Sequence, residues 1–568
     1  QMIADQQTHS LPQAPQERAR LAYAMGFPDW DAFYAKLDEH RARVAAVFTG
    51  IFHSTGETSA AESQTAHLND LLDGQLPETQ ALTVLRKLGF NDGAAALEAL
   101  RRFRGAHQVR HMGPEARERL QRLLEPLFKA VAQTPDVEET LERVLDVLQS
   151  IVQRSVYIAL LCEYPDALSQ LVRLCSSSGW IAQYLQAQPI LLDSLLDPRF
   201  LYELPDRQTL GARLQERMQG LSGEDFEQQL NALRHFKHEQ VLRVAAVDVK
   251  GDLPLMKVSD QLTWLAEAVL EQVHGMAYRE MVRKYGRPWC TREGGADGEG
   301  YEPELAVIAY GKLGGIELGY GSDLDVVFLH NSGVEGHTLG ERPVPNEVFF
   351  ARYGQRMIQL LGTQTVSGVL YEVDPRLRPD GAAGPLVGSF HGYAAYQRDR
   401  AWVWEHQALV RTRLIVGSSK FSLEFEALRA EILRRERDLV KLRAEVRDMR
   451  NRMKAELARG SQGSFDLKQD RGGITDIEFI VQYGVLAWAR DFPELTRYPD
   501  NIRILEQFER CALLPAEQAR FLSDAYRHLR GKIHRLALQG RQAVLEDASS
   551  SRSWIDGVSG IWNRLMEV

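Results

Sequence analysis

Asp323 and Asp325 stand one residue apart at the head of an apolar run, Val326-Val327-Phe328-Leu329. On a strand the side chains alternate, so both carboxylates point to one side. Two like charges that close are stable with a cation between them. Hard oxygen ligands of this kind suit Mg²⁺ or Mn²⁺ together with substrate phosphates. Just upstream lies a glycine-rich stretch, Tyr310-Gly311-Lys312-Leu313-Gly314-Gly315. Glycine lets the backbone approach a phosphate closely, and the N–H groups opening a following helix favour an anion. A P-loop is excluded, because the order G-x-x-x-x-G-K-[ST] is missing.

A second cluster follows in Tyr371-Glu372-Val373-Asp374-Pro375-Arg376-Leu377-Arg378. Its polar residues fall on every second position. A strand here places Glu372, Asp374, Arg376 and Arg378 on one face, offering carboxylates for metal and guanidiniums for phosphate. Pro375 marks that strand as an edge or an end. Glycine loop, paired aspartates and a later strand carboxylate are the minimum equipment for nucleotidyl transfer. Two metals about 3.5–4 Å apart can stabilise the attacking and leaving oxygens of an in-line displacement. A third carboxylate beside the acceptor hydroxyl can take its proton.

The elements that position these groups are legible from periodicity. Strands are predicted over 305–310, 323–329, 369–377 and 409–416, with helical signals around them. Helix is predicted over 16–50, 66–72, 77–88, much of 114–285, and 474–568. Apolar positions from Leu423 to Leu457 recur at three, four and seven residues, predicting one long amphipathic helix with a solvated Arg/Glu face. Ser54–Thr65 breaks the helical pattern, and Gly294–Gly300 reads as a flexible connection. His111-Met112-Gly113-Pro114 predicts a domain boundary, since Gly-Pro disfavours helix before it. Trp402 and Trp404, two apart, read as core packing, and His107 and His111 as a surface pair. The expected fold is mainly α with an embedded α/β core and helical bundles on both sides.

Composition bounds the partners. The 568 residues carry a net charge of −9, with 44% hydrophobic and 26% charged residues. That is ordinary globular composition and excludes a wholly disordered or collagen-like chain. The acidic balance argues against nucleic acid as a partner. No run of about 18 apolar residues points to a membrane span. Four cysteines, none in a C-x-x-C pair, read as reduced thiols in a cytoplasmic setting.

Several stretches resemble one family. G-K-L-G-G-x-E-L-x-x-x-S-D-L-D, Val373-Asp374-Pro375-Arg376-Leu377-Arg378-Pro379, Trp404-Glu405-His406-Gln407-Ala408-Leu409-Val410-Arg411, and Lys468 through Gly472-Gly473-Ile474-Thr475-Asp476-Ile477-Glu478 are similar to the glutamine synthetase adenylyltransferases. Leu233-Arg234-His235-Phe236-Lys237 also looks like the helical region ahead of that catalytic core. The resemblance implies a polymerase β-like nucleotidyltransferase core at 290–420. A helical tail of a preceding half would occupy 1–112, a helical lead-in 113–289, and a helical bundle 421–568. It implies transfer of AMP from ATP to a tyrosine hydroxyl of glutamine synthetase, with pyrophosphate released. Glutamine and the PII signalling protein are the implied regulators. Asp323, Asp325 and Asp374 would hold Mg²⁺, with Glu372 as rival for the third place. Gly311, Lys312, Ser322, Arg376 and Arg378 would contact phosphates. Lys468, Asp476 and Glu478 could support the site, and the last two could equally be helix-start partners. Glu317-Leu318-Gly319-Tyr320 reads like the adenylylating half of these two-half enzymes. A chain beginning at Gln1 then reads as a C-terminal piece without the deadenylylating core. The alternatives are a phosphorolytic deadenylylase, a D-x-D glycosyltransferase and a non-catalytic module that binds regulators.

Overall fold

The apolar runs at 305–309 and 324–330 are buried on both faces, and they build the centre of a mixed five-stranded sheet. The computed structural model describes residues 11–12, 14–52, 68–223, 225–291, 300–365, 368–457 and 464–567. The 294–299 part of the glycine-rich connection and the whole 54–65 stretch lie outside these. In the sheet, β1 (Leu305–Ala309) pairs antiparallel with β2 (Leu324–His330), from Leu305 opposite His330 to Ala309 opposite Val326. Along its other edge β2 runs parallel to β3 (Val373–Asp374) and then to β4 (Val387–Ser389). The outer edge of β1 pairs antiparallel with β5 (Arg413–Val416), with an irregularity between Val307 and Ile308.

Period two assigns the two faces. Leu305, Val307, Leu324, Val326 and Phe328 join the core made with the upstream helices. Ala306, Ile308, Val327 and Leu329 join the core made with the downstream helices. Continuous apolar strands are what such a doubly covered sheet requires.

Chain contacts divide the molecule into two compact units, Gln1–Leu76 and Pro77–Val568. In the first, helices Pro15–Ala24 and Trp30–Phe52 replace the single stretch expected over 16–50. Gly26 breaks them with φ of 81°. The second unit opens with short Leu-rich helices and continues into α1 (Phe226–Lys250) and α2 (Leu255–Tyr285). Its downstream part holds α3 (Val403–Val410), α4 (Ser419–Leu433), α5 (Leu439–Leu457), α6 (Ile474–Trp488), α7 (Asn501–Arg510), α8 (Ala516–Leu538) and α9 (Arg552–Met566). The mainly helical fold with an embedded α/β sheet matches the sequence reading. Among the described residues, no helix is long and apolar enough to cross a membrane.

Four local expectations fail. The strand expected over 369–377 is only β3, two residues long. Pro375 lacks the N–H a ladder needs, and the Asp374 carboxylate accepts the Arg376 N–H at 2.9 Å, turning the chain. The strand expected over 409–416 begins at Arg413, because Leu409 and Val410 close α3. The long helix expected from Leu423 to Leu457 is two helices. Arg437 donates to the Ile432 and Leu433 carbonyls at 2.8 and 3.1 Å, satisfying the end of α4. Asp438 accepts the Val440 and Lys441 N–H groups, opening α5. Trp402 and Trp404 are not core: they are 69% and 38% exposed. Trp402 is extended and caps the start of α3, and Trp404 lies in the first turn of that helix. His107 and His111 do form a surface pair, stacked with ring centroids 4.1 Å apart.

Candidate active site

The turn between β1 and β2 sets the site. Tyr310 donates to the Asp325 carbonyl at 2.9 Å, so the glycine loop leaves the sheet beside the aspartates. Gly311 has φ of +54°, and a Cβ there would lie 2.3 Å from an Asp325 carboxylate oxygen. Gly314 is equally confined, with a Cβ position 2.0 Å from the Arg411 carbonyl. One helical turn, Gly311–Gly314, is followed by Ile316 at φ of 58°. A β-branched residue in that region is strained by about 1–3 kcal/mol and persists where its surroundings over-determine it.

Those surroundings converge on Glu317, which is 3% exposed. Its carboxylate pairs with Arg411 and accepts from Tyr526 at 2.5 Å and Asn501 at 3.4 Å. Arg411 also donates to Glu478 at 2.7 Å, and Arg530 donates to the Glu317 carbonyl at 3.1 Å. The loop is therefore tied to α6, α7 and α8. Burial pushes the Glu317 carboxyl up, but the Arg411 and Arg530 guanidiniums outweigh it and leave the group below the ordinary carboxylate range. Further along, Gly319 donates to the Ser322 hydroxyl at 3.1 Å, and Tyr320 donates to Asp248 at 3.0 Å. Asp248 also pairs with His534 of α8 at 2.6 Å.

The parallel register of β2 and β3 sets Asp325 directly beside Asp374. Carboxylate oxygens of Asp323, Asp325 and Asp374 lie within 4.8 Å of one another. Burial, then the Asp323 and Asp374 charges, push the Asp325 carboxyl up to about 6. Three hard oxygen donors whose mutual repulsion awaits a counter-charge fit a divalent cation. Asp374 lies below the ordinary range because Arg376 bonds it in bidentate fashion, at 2.5 and 2.9 Å.

Of the other residues singled out in the sequence, Glu372 stands just before β3, and its carbonyl accepts the Leu324 N–H at 2.9 Å. Arg376 is exposed and bound to Asp374. Arg378 does not share that face: it donates to the carbonyls of Pro375, Ala382 and Gly384 and holds the turn. Lys312, Ser322, Lys468 and Glu478 line one cavity of about 320 Å³, together with Arg530 and Tyr526 of α8. Asp476 lies elsewhere, fully buried, pairing with Arg450 at 2.7 Å and accepting the Gly472 N–H. It staples the start of α6. Glu317, Arg411, Tyr526 and Arg530 were not singled out as site residues. Glu317 and Arg411 stand within recognisable motifs, but no local pattern marks Tyr526 or Arg530.

Residues 168–428 match the family described as glutamate-ammonia ligase adenylyltransferase, which spans the glycine loop and all three aspartates. Residues 1–52 and 441–547 match the family described as GlnD PII-uridylyltransferase. The chain is 48% identical over its full length to the bifunctional glutamine synthetase adenylyltransferase/adenylyl-removing enzyme of Thioalkalivibrio sulfidiphilus. It is related to the glutamine synthetase adenylyltransferases. The Nitrosococcus oceani enzyme of that name is 47% identical, again over the full chain, and that of Pseudomonas aeruginosa is 43% identical over 96% of it. The chain spans 59%, 58% and 57% of these three relatives. The matches cover both the sheet that carries the aspartates and the helices that brace the loop.

Proposed function

We propose that this chain carries the adenylylating site of such an enzyme and transfers AMP from ATP to a tyrosine hydroxyl of glutamine synthetase, releasing pyrophosphate. The observation that carries this reading is the three-aspartate cluster set against a glycine loop and a cavity lined by Lys312, Lys468 and Arg530. Asp323, Asp325 and Asp374 would hold divalent ions, Mg²⁺ or Mn²⁺, which supply charge neutralisation at the attacking and leaving oxygens. The chain's own residues do the rest. Gly311 keeps the loop backbone open beside Asp325, and the three cations face the triphosphate. Arg376 holds Asp374 ionised and oriented. The 290–420 segment is the catalytic core, with glutamine and the PII protein as regulators in the cytoplasm.

The test is direct. Incubate the chain with Mg²⁺, unmodified glutamine synthetase, and ATP labelled on the α- or the γ-phosphate. Label is expected to pass to the synthetase from the α position alone. No transfer, or transfer from the γ position, removes the reading. The Glu317-Leu318-Gly319-Tyr320 wording favours this direction over phosphorolytic removal. Modified synthetase with inorganic phosphate is therefore expected to keep its AMP.

The glycine loop supplies a further expected result. Gly311→Ala forces a Cβ against the Asp325 carboxylate at a backbone angle that disfavours any side chain. A displacement of about 1 Å at a reacting centre costs on the order of 10²-fold in rate. Label transfer is expected to fall by that much, and an unchanged rate would show that the loop is remote from the chemistry.

A further inference from the structure

A second cavity, of about 280 Å³, adjoins the basic one along the exit of the glycine loop. The two share Leu318, Gly319, Tyr320 and Ser322. Much of the second cavity comes from the upstream helices. Helix Gly179–Ala187 contributes Trp180 and Tyr184, α1 contributes Lys237 and Val241, and α2 contributes Leu262. Its apolar lining is enclosed: Val241, Leu262, Leu318 and Leu370 are each at most 6% exposed.

Trp180 and Tyr184 stand four apart on one helix face, and their rings stack at 4.7 Å. Tyr320 extends this wall, with its ring 4.7 Å from Trp180. The hydroxyls of the two tyrosines are already engaged. Tyr320 donates to Asp248 at 3.0 Å, and Tyr184 pairs with His238. What these rings offer a ligand is flat apolar surface. Lys237 lines the same cavity, with its ammonium 5.2 Å from the Tyr371 ring centre. Burial alone holds that ammonium down to about 8, and no carboxylate among the described residues pairs with it. Its N–H groups suit an acceptor brought by a ligand.

These features suit a purine ring. A purine offers π-faces for stacking and ring nitrogens that accept hydrogen bonds in its plane. A phenol also stacks, but its one acceptor is the oxygen that must sit at the reacting phosphorus. Connectivity agrees. On the adenylylation reading, the α-phosphate of ATP rides on ions held by the aspartate cluster, and Asp323 of that cluster also lines the aromatic cavity. The nucleoside is bonded to that phosphate, so it lies within a sugar's length of it. The β- and γ-phosphates reach Lys312, Lys468 and Arg530 in the adjoining cavity. One extended molecule fills both. A tyrosine carried by a folded protein needs open access instead, and the cluster provides it, since Asp323 and Arg376 are exposed.

Resting on that reading for its use of ATP, we propose that the aromatic cavity is the nucleoside subsite: Trp180 and Tyr184 pack against the adenine ring, and Lys237 donates to one of its ring nitrogens. The aromatic cavity then supplies affinity for the base, and the basic cavity affinity for the phosphates.

The experiment is equilibrium dialysis of the full chain against labelled ATP with Mg²⁺, and against inorganic tripolyphosphate, which has no base. Trp180→Ala is expected to raise the Kd for ATP about tenfold, the scale of one base–aromatic stack, and to leave that for tripolyphosphate within about twofold. Trp180→Phe keeps an aromatic face and is expected to recover most of the loss. Lys237→Met keeps the apolar stem without the donors, and is expected to weaken ATP binding by about fivefold or more with tripolyphosphate again unchanged. Equal losses for both ligands would mark a phosphate contact or a structural effect and overturn the proposal. So would unchanged ATP binding in Trp180→Ala. In label transfer the same variants should raise the KM for ATP and hold the KM for synthetase. The reverse pattern would make the cavity the acceptor's and overturn the assignment. A parent chain that binds ATP but transfers no label removes the adenylylation reading without touching the subsite, whereas a parent that binds no ATP removes both.

Discussion

Asp325→Asn is expected to reduce label transfer from α-labelled ATP by at least about 10³-fold while leaving the protein folded. Asparagine keeps the shape and removes the charge. Asp325 is the most enclosed of the three clustered carboxylates and stands beside Asp374 in the parallel register of β2 and β3. Removing one preorganised electrostatic contact at a reacting centre costs on the order of 10²–10³-fold, and a lost cation adds to that. Three like charges within 4.8 Å repel one another. Deleting one relieves that repulsion, so the metal-free variant is expected to melt no lower than the parent. Mn²⁺ titration followed by water-proton relaxation should show weakened binding. A variant that transfers label within tenfold of the parent would take Asp325 out of the chemistry.

Arg411→Met is expected to be the most destabilising single change near the site. Arg411 is 6% exposed and sits between Glu317 and Glu478. Breaking a buried pair by removing one partner costs about 3–5 kcal/mol, because the other charge is left uncompensated. Glu317 would keep Tyr526 and Asn501 but lose its guanidinium, and the strained Ile316 turn would lose its anchor. Urea unfolding at neutral pH measures the loss. Glu317→Gln combined with Arg411→Met should recover part of it, since no carboxylate is then stranded at that position.

The pair also carries a pH signature. The Glu317 carboxyl lies below its ordinary value of 4.5 in the folded protein. Its stabilisation is therefore complete above about pH 4.5 and is lost as pH falls through the lowered folded value. The gap in stability between parent and Arg411→Met should accordingly narrow on acidification. A gap that is constant or that widens below pH 4.5 would show that Glu317 is not the ionised partner.

The sequence by itself determined the paired aspartates, the glycine loop, the two central strands and the mainly helical surroundings. Each rests on local physics: alternation along a strand, the freedom of glycine at φ of +54°, and apolar runs that must be covered on both faces. It misjudged segments whose fate depended on a single local competition. Alternation in 371–378 looked like a strand, but Pro375 and the Asp374–Arg376 bond turned it after two residues. The apolar spacing from Leu423 to Leu457 ran through a break that Arg437 and Asp438 cap. Only the tertiary structure decided what surrounds the loop. Glu317 meets Asn501 and Tyr526 across 184 and 209 residues of chain. Trp180 and Lys237 reach Asp323 and Glu372 at one cavity. No periodicity encodes such meetings, because they arise when separate helices pack on opposite faces of one sheet.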